Sequence, residues 1–373
     1  MTYYNVFMEV CSHSIFDPKT ILLKLNGNIC NMNCLYCSEI IKDFYKEKNT
    51  FNLNNILEII DGLPRDTHII FHGGEPTLSG KDNISSIINF IKKSEFIYKP
   101  AIQTNGYLDE SWVDFFYENK DNLSLSISLD GNYQASIFRL FNKEKAFNKI
   151  NEFLNLIDKR NIEFRCIATI NSKSYNLMYD IIEYFSNFNN IKFLKLNPCF
   201  DIDNNGIKEY SITPLQYLKS LKDAFNYMIK YKTYKKFKLD PITDIIESFN
   251  NNNKEFNLKC NKFYSVYPDK SIMFCDAMHT DENAKSLFNS YPEYIEKEIE
   301  YCKSCNMLEI CSGGCPSVRN MYRKYNEKLL EEYCQYRIEI KNIYCPILII
   351  VRRYLCYYVN LMNYFIVKNM MNV

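Results

Sequence analysis

The sequence is poor in glycine, with 10 residues in 373. A chain so short of its most permissive residue keeps it where the backbone must take a positive φ or approach something closely. The few that remain therefore mark places to look. Net charge is also lacking: Lys+Arg number 45 and Asp+Glu 44. That balance excludes a protein whose main work is gripping nucleic acid or an anionic membrane. The N-terminus, MTYYNVFMEVCSHS, has no basic stretch followed by an apolar one, so no signal peptide is read and a cytoplasmic location is expected. No membrane span is expected either. The charge-free part of the C-terminal tail, Tyr354–Val367, falls short of the roughly 20 residues a span needs, and a helix packed on the body is the simpler reading. No repeat of fixed period is present, which excludes a solenoid.

Apolar residues at 47% and charged residues at 24% describe a globular protein, and the length allows two or three domains. Cysteine is abundant, at 15 residues. Without export a disulfide framework is not expected, so the cysteines point to metal or redox chemistry. Six strand-like runs, 21–26, 68–72, 101–104, 123–130, 163–170 and 191–197, alternate with helical patterns such as 84–93, 146–159 and 176–185. Repeated β-then-α units imply a parallel sheet, either doubly wound and open or closed partly or fully into a barrel. Patterning alone leaves that choice open. After residue 200 the pattern changes: 201–206 reads as a turn, Pro214 opens a helix to about Tyr231, and a second helical stretch covers about 241–250. A hairpin is expected around 265–275 in a cysteine-dense region that starts at Cys260.

Polar motifs gather at the C-terminal ends of the strands, the edge where α/β proteins bind ligands. Cys30, Cys34 and Cys37 follow the first strand. Three thiolates within eight residues suit one soft metal centre, either a four-thiolate cubane left with one open iron or half of a zinc site. Phe71-His72-Gly73-Gly74-Glu75-Pro76 ends the second strand; its glycines would let a ligand approach, and Glu75 offers a carboxylate to a cation. Gln103-Thr104-Asn105-Gly106 ends the third strand, and Ser126-Ile127-Ser128-Leu129-Asp130-Gly131 the fourth, with Arg139 nearby. Near the C-terminus stand Cys302, Cys305, Cys311 and Cys315, with Cys260 and Cys275 upstream and Cys334 downstream. A zinc ribbon uses four cysteines. Seven suggest two centres, with a redox pair as the lesser alternative. Cys166 reads as a buried thiol, and Cys11, Cys199, Cys345 and Cys356 as structural.

Together, Cys30-x3-Cys34-x2-Cys37, Gly73-Gly74-Glu75-Pro76, Gln103-Thr104-Asn105-Gly106 and Ser128-x-Asp130-Gly131 resemble the radical S-adenosylmethionine (SAM) superfamily. The C-terminal cysteines resemble its SPASM branch of peptide- and protein-modifying enzymes. The resemblance covers about residues 20–340. It implies an α/β fold, a partial (β/α)6 TIM-like barrel with a C-terminal cysteine-rich SPASM domain. The expected division is an N-terminal extension over 1–20, the barrel over 21–230, a helical linker over 231–259, the SPASM domain over 260–340 and an apolar helix over 341–373. With about 20 residues ahead of the first strand, no leader-recognition domain is expected.

The resemblance also implies cofactors: SAM and [4Fe–4S] clusters, three in all. Cys30, Cys34 and Cys37 match the ligands of the SAM-cleaving cluster. Tyr36 matches the aromatic position beside the adenine, and Gly73, Gly74 and Glu75 the stretch that holds the SAM ammonium. Ser128 and Arg139 match positions that bind the SAM carboxylate, and Asn105 one near the ribose or methionine. Cys302, Cys305, Cys311 and Cys334 match one auxiliary cluster; Cys260, Cys275 and Cys315 match another that lacks a fourth thiolate here. Asp276 matches a catalytic base of the anaerobic sulfatase-maturing relatives, whose usual run after Asp130-Gly131 is not matched by Asn132-Tyr133-Gln134. The expected activity is reductive cleavage of SAM, with the 5′-deoxyadenosyl radical used to oxidise or crosslink a side chain of a peptide or protein substrate. The expected electron donor is a flavodoxin or ferredoxin. A zinc-binding interaction module and a non-catalytic peptide binder are the alternatives.

Overall fold

A computed structural model describes residues 19–41, 51–140, 143, 145–245, 263–273, 293–311 and 313–340. Six parallel strands carry the fold: β1 (Thr20–Lys24), β2 (His68–His72), β3 (Ala101–Thr104), β4 (Ser124–Ser128), β5 (Phe164–Ile170) and β6 (Ile191–Pro198). Each coincides within a few residues with an apolar run of the sequence. The helices of this half are α1 (Ser38–Ile41), α2 (Leu53–Asp61), α3 (Lys81–Lys93), α4 (Ser111–Glu118), α5 (Ala146–Lys159) and α6 (Met178–Ser186). The short helices α2 and α4 escape a reading that weighs long periodic stretches.

The turn expected over 201–206 is the tip of a small hairpin, β7 (Ile202–Asp203) and β8 (Gly206–Ile207). α7 (Pro214–Tyr231) begins where proline and its cap place it. The Thr213 hydroxyl accepts from the Gln216 amide at 3.2 Å, and the Gln216 side chain accepts from the Thr213 amide at 2.8 Å, a reciprocal cap that satisfies two orphan donors. Of the stretch expected helical over 241–250, residues 242–245 are helical and the remainder lies outside the described residues.

The strands join β9 (Lys238–Asp240), β10 (Phe263–Val266) and β11 (Ile272–Met273) in one sheet, ordered β11-β10-β1-β2-β3-β4-β5-β6-β9. Among the described residues the sheet stays open, with β11 and β9 at its edges, so the open form of the barrel is the one adopted. Its register sorts the side chains. Leu23 pairs with Phe71, Phe71 with Ile102, Ile102 with Leu125, Ile127 with Cys166 and Cys166 with Leu194. This apolar face is buried in the same core as the helices, as the period-2 alternation of a strand requires. The opposite face carries Lys24, His72, Gln103, Ser126, Ser128, Thr169, Lys195 and Asn197, a polar inner wall.

The expected hairpin is β10–β11. It pairs in parallel with β1, placing Leu22 beside Ser265. The C-terminal helices are α8 (Glu293–Lys303), α9 (Leu308–Cys311), α10 (Pro316–Tyr325) and α11 (327–340). Their Met321, Tyr322, Tyr333 and Tyr336 pack into the core of the sheet half, with Phe200 and Tyr217 in an aromatic group whose centroids lie 5.5–6.5 Å apart. The cysteine-dense region thus shares a core with the barrel. The tail over 341–373 lies outside the described residues. Among those described, no helix is long and apolar enough to cross a membrane.

At the β9 edge, Asp240 is buried beside Asp244, with Lys195 Nζ 3.5 Å away. Burial, and then the hydrogen bond to Asp244, push its carboxyl up to about 6 from an ordinary 3.8. The folded protein therefore holds a proton that the unfolded chain has released, and stability falls as pH rises from about 4 through about 6. Asp240→Asn is expected to flatten that part of the profile, measured as urea midpoint against pH.

Candidate active site

The loop from β1 to α1 carries Cys30, Cys34 and Cys37, and the strand ends hold it from several sides. At its start, the Leu25 amide donates to the His72 carbonyl at 3.2 Å and the Glu75 amide donates to the Ile29 carbonyl at 2.8 Å. Asn26 Nδ2 donates to the Glu75 carbonyl at 3.1 Å. At its end, the fully buried Lys24 donates to Glu39 Oε1 at 2.7 Å and stands 3.1 Å from His72 Nδ1. Glu39 lies two residues after Cys37, so one ion pair ties the exit of the loop to the strand that enters it.

The glycines of the second strand end serve this loop. A Cβ on Gly74 would stand 1.9 Å from the Ile29 carbonyl oxygen, and one on Gly73 would stand 2.4 Å from that of Gly27. Both take positive φ, +26° and +80°. Their missing side chains admit the backbone of the cysteine loop.

Glu75 ties the same strand end to its neighbour. Its carboxylate is fully buried. Oε1 accepts from the Thr77 amide at 3.1 Å, the Thr77 hydroxyl at 2.7 Å and the Thr104 hydroxyl at 2.8 Å; Oε2 accepts from the Asn105 amide at 2.7 Å. It fastens β2 to β3 and is committed inside the protein. Asn105 continues outward from there. Its Nδ2 donates to Asn31 Oδ1 at 2.7 Å and reaches Cys30 Sγ at 3.6 Å, while its Oδ1 accepts from the Tyr107 amide at 2.8 Å. It is a turn residue that also braces the cysteine loop.

The fourth strand end is organised by Asp130, which is fully buried. Oδ1 accepts from Arg139 Nε at 3.1 Å, Arg139 Nη2 at 2.9 Å and the Thr169 amide at 2.9 Å. Oδ2 accepts from the Tyr36 hydroxyl. The Arg139 guanidinium also lies 5.6 Å from the Tyr36 ring centroid. Two residues expected to touch SAM, Tyr36 and Arg139, are therefore oriented by a third that the sequence did not single out. Ser128, half-buried on the inner wall, accepts from Gln103 Nε2 at 3.3 Å.

The three thiols sense one another. Desolvation pushes Cys30 up to about 11 and Cys34 up to about 12; the charge of Cys37 raises both further, and Arg139 opposes it at Cys34. Thiolates crowded in this way need a cationic centre to persist, which is what a cluster of irons supplies. Among the described residues no three His, Cys, Asp or Glu side chains converge closely enough to share one metal ion. The fit therefore lies in donor type and place: three soft donors on one loop, with Asn105, Asp130 and Arg139 around them.

In the C-terminal helices, Cys302 lies in the last turn of α8, Cys305 follows that helix, Cys311 ends α9, Cys315 precedes α10, and Cys334 lies on α11. Desolvation raises the Cys334 thiol, and the charges of Cys311 and Cys305 push the same way. Cys260, Cys275 and Asp276 lie outside the described residues. Cys166 is fully buried, and desolvation pushes its thiol far up. Cys199 is buried too, and pushed up to about 12 by the same cause.

Lys24 was missed in the sequence, although it interrupts an apolar strand in phase with the inner wall, and that phase was the available signal. His72 and Asp130 were quoted only as parts of motifs.

Residues 27–179 match the Radical SAM superfamily. The chain is 28% identical to a cysteine-type anaerobic sulfatase-maturating enzyme of Clostridium novyi, over 79% of this chain and 87% of that one. The solved structure of native anSMEcpe with bound AdoMet and Kp18Cys peptide superposes with a TM-score of 0.69 at 23% identity, covering 90% of this chain and 99% of the other. SuiB of Streptococcus suis bound to its precursor peptide SuiA superposes with a TM-score of 0.53 at 15% identity, covering 85% and 76%. The stretch that matches the superfamily is also the one that folds into the cysteine loop, its glycine seat and the Asp130–Arg139 pair, and residues 27–179 form a radical SAM domain.

Proposed function

We propose that this chain is a radical SAM enzyme that modifies a side chain of a peptide or protein. The observation that carries the reading is the cysteine loop, held against the ends of β2, β3 and β4 on the polar side of an open sheet. Its relatives support the substrate class: a sulfatase-maturating enzyme, and solved structures holding peptides. Cys30, Cys34 and Cys37 hold a [4Fe–4S] cluster that, when bound, supplies the electron for SAM cleavage. Tyr36 faces the adenine, its ring fixed through Asp130. The backbone of Gly73, Gly74 and Glu75 receives the SAM ammonium, Ser128 and Arg139 the carboxylate, and Asn105 the neighbouring sugar or methionine atoms. Cys302, Cys305, Cys311 and Cys334 hold one auxiliary cluster; Cys260, Cys275 and Cys315 hold another. An electron donor such as flavodoxin or ferredoxin completes the system.

Oxidising a thiol or alcohol removes a hydrogen atom, a proton and an electron. The 5′-deoxyadenosyl radical would take the hydrogen atom, the auxiliary cluster that Cys275 would help to hold would take the electron, and Asp276, next to Cys275 in sequence, is the base for the proton. Anaerobically reconstituted protein with SAM and dithionite should form 5′-deoxyadenosine and change the mass of a Cys- or Ser-containing sulfatase peptide. Asp276→Asn should keep SAM cleavage and lower peptide product by about 10²-fold or more. Undiminished product would remove Asp276 from the mechanism. Colourless, zinc-loaded protein would mean an interaction module, and bound but uncleaved SAM a non-catalytic member.

A further inference from the structure

Arg319, on α10, is almost wholly buried and points at a thiol. Its Nη1 donates to Cys302 Sγ and to the Gly313 carbonyl at 2.9 Å, and its Nη2 donates to the Glu298 carbonyl. Among the described residues its Nε finds no hydrogen-bond partner, although Glu298 Oε2 lies 3.4 Å away. Glu298 is itself divided: its Oε1 accepts from Arg323 Nε at 2.7 Å and its Oε2 from Arg323 Nη2 at 3.1 Å. Two guanidiniums thus share one carboxylate, and Glu298 and Arg319 both sit at 2% exposure. Nearby, Arg337 of α11 donates to the Cys311 carbonyl at 2.9 Å. Buried charge is ordinarily matched, and among the described residues three guanidiniums, Arg319, Arg323 and Arg337, stand against the carboxylates of Glu298 and Glu327 beside Cys302, Cys311 and Cys334.

We infer that Arg319 is the cation that balances an anionic cluster held by Cys302, Cys305, Cys311 and Cys334 and raises its reduction potential. The inference rests on the auxiliary-cluster assignment above. Four thiolates outweigh the positive charge of a cubane core, so the ligated centre is an anion and gains a further negative charge on reduction. A buried guanidinium that also donates to a ligand sulfur stabilises the reduced form, since net charge and hydrogen bonds to sulfur set such potentials. Arg319 is a tuning residue and touches no substrate.

The sign of the effect separates this role from simple support of the fold. In the Cys30, Cys34 and Cys37 to Ala background, a redox titration followed by electron paramagnetic resonance reads the auxiliary clusters alone. The component lost on Cys334→Ala belongs to the four-cysteine set; if that substitution removes no component and no iron, the assignment fails before Arg319 is tested. If the component is lost, Arg319→Met should shift its midpoint potential down and Arg319→Lys should shift it down less. Glu298→Gln, which removes the opposing charge, should shift it up. Glu298→Gln keeps the test decisive where Arg319→Met does not fold. An unchanged potential in either folded variant, or a downward shift in Glu298→Gln, would overturn the inference with the cluster assignment intact.

Discussion

Replacing Cys30, Cys34 and Cys37 together by alanine is expected to abolish 5′-deoxyadenosine formation and to lower bound iron from about 12 to about 8 per chain. The size of the effect follows from the cooperation of the three thiolates on one loop. Without them SAM cleavage has no electron source, and no other described residue can take their place. The remaining iron stays because Cys302, Cys305, Cys311 and Cys334 stand on α8, α9, α11 and the turn after α8, elements that contain none of the three substituted positions. The measurement is iron and sulfide content with quantified 5′-deoxyadenosine after anaerobic reconstitution. Undiminished cleavage in the triple variant would end the assignment. A plateau near about 4 irons in the unaltered protein would show that the C-terminal cysteines bind something else.

Asp130→Ala is expected to destabilise the fold by about 3–5 kcal/mol and to weaken SAM binding with it. Among the described residues Asp130 is the only carboxylate that Arg139 is hydrogen-bonded to, and its loss leaves a guanidinium at 8% side-chain exposure without its counter-charge. It also strands the Thr169 amide and the Tyr36 hydroxyl, each a donor whose loss of partner costs free energy. Much of the penalty is the unpaired charge. Combining Asp130→Ala with Arg139→Met should therefore recover stability relative to Asp130→Ala alone, because replacing both members of a buried pair is far cheaper than removing one. Urea unfolding reads stability, and equilibrium binding of SAM to reconstituted protein reads the site. If Asp130→Ala and the double variant unfold alike, the pair does not set stability. If SAM binds Asp130→Ala as tightly as the unaltered protein, orientation of Tyr36 and Arg139 through Asp130 is wrong.

The chain's own pattern of residues determined the strands, the longer helices and the identity of the chemical groups. Apolar runs bounded by turn residues coincide with β1 to β6 because a sheet covered on one face must draw that face from local sequence. The start of α7 was legible because Thr213, Pro214 and Gln216 act on backbone groups within one turn. Glycine scarcity was informative: nine of the ten take positive φ.

Tertiary structure decided what those groups do. Gly73 and Gly74 admit the backbone of residues 27–29, a contact made more than 40 positions away in sequence. The Glu75 carboxylate is committed to Thr104 and the Asn105 amide at the end of the neighbouring strand, and Arg139 to Asp130 within the segment that follows β4. The roles of Lys24, His72 and Asp130 emerged only once parallel pairing had placed successive strand ends side by side. A residue's type and spacing can be read locally. Which of its polar atoms face a ligand and which are spent inside the protein depends on neighbours that only the register of the sheet brings within hydrogen-bond reach.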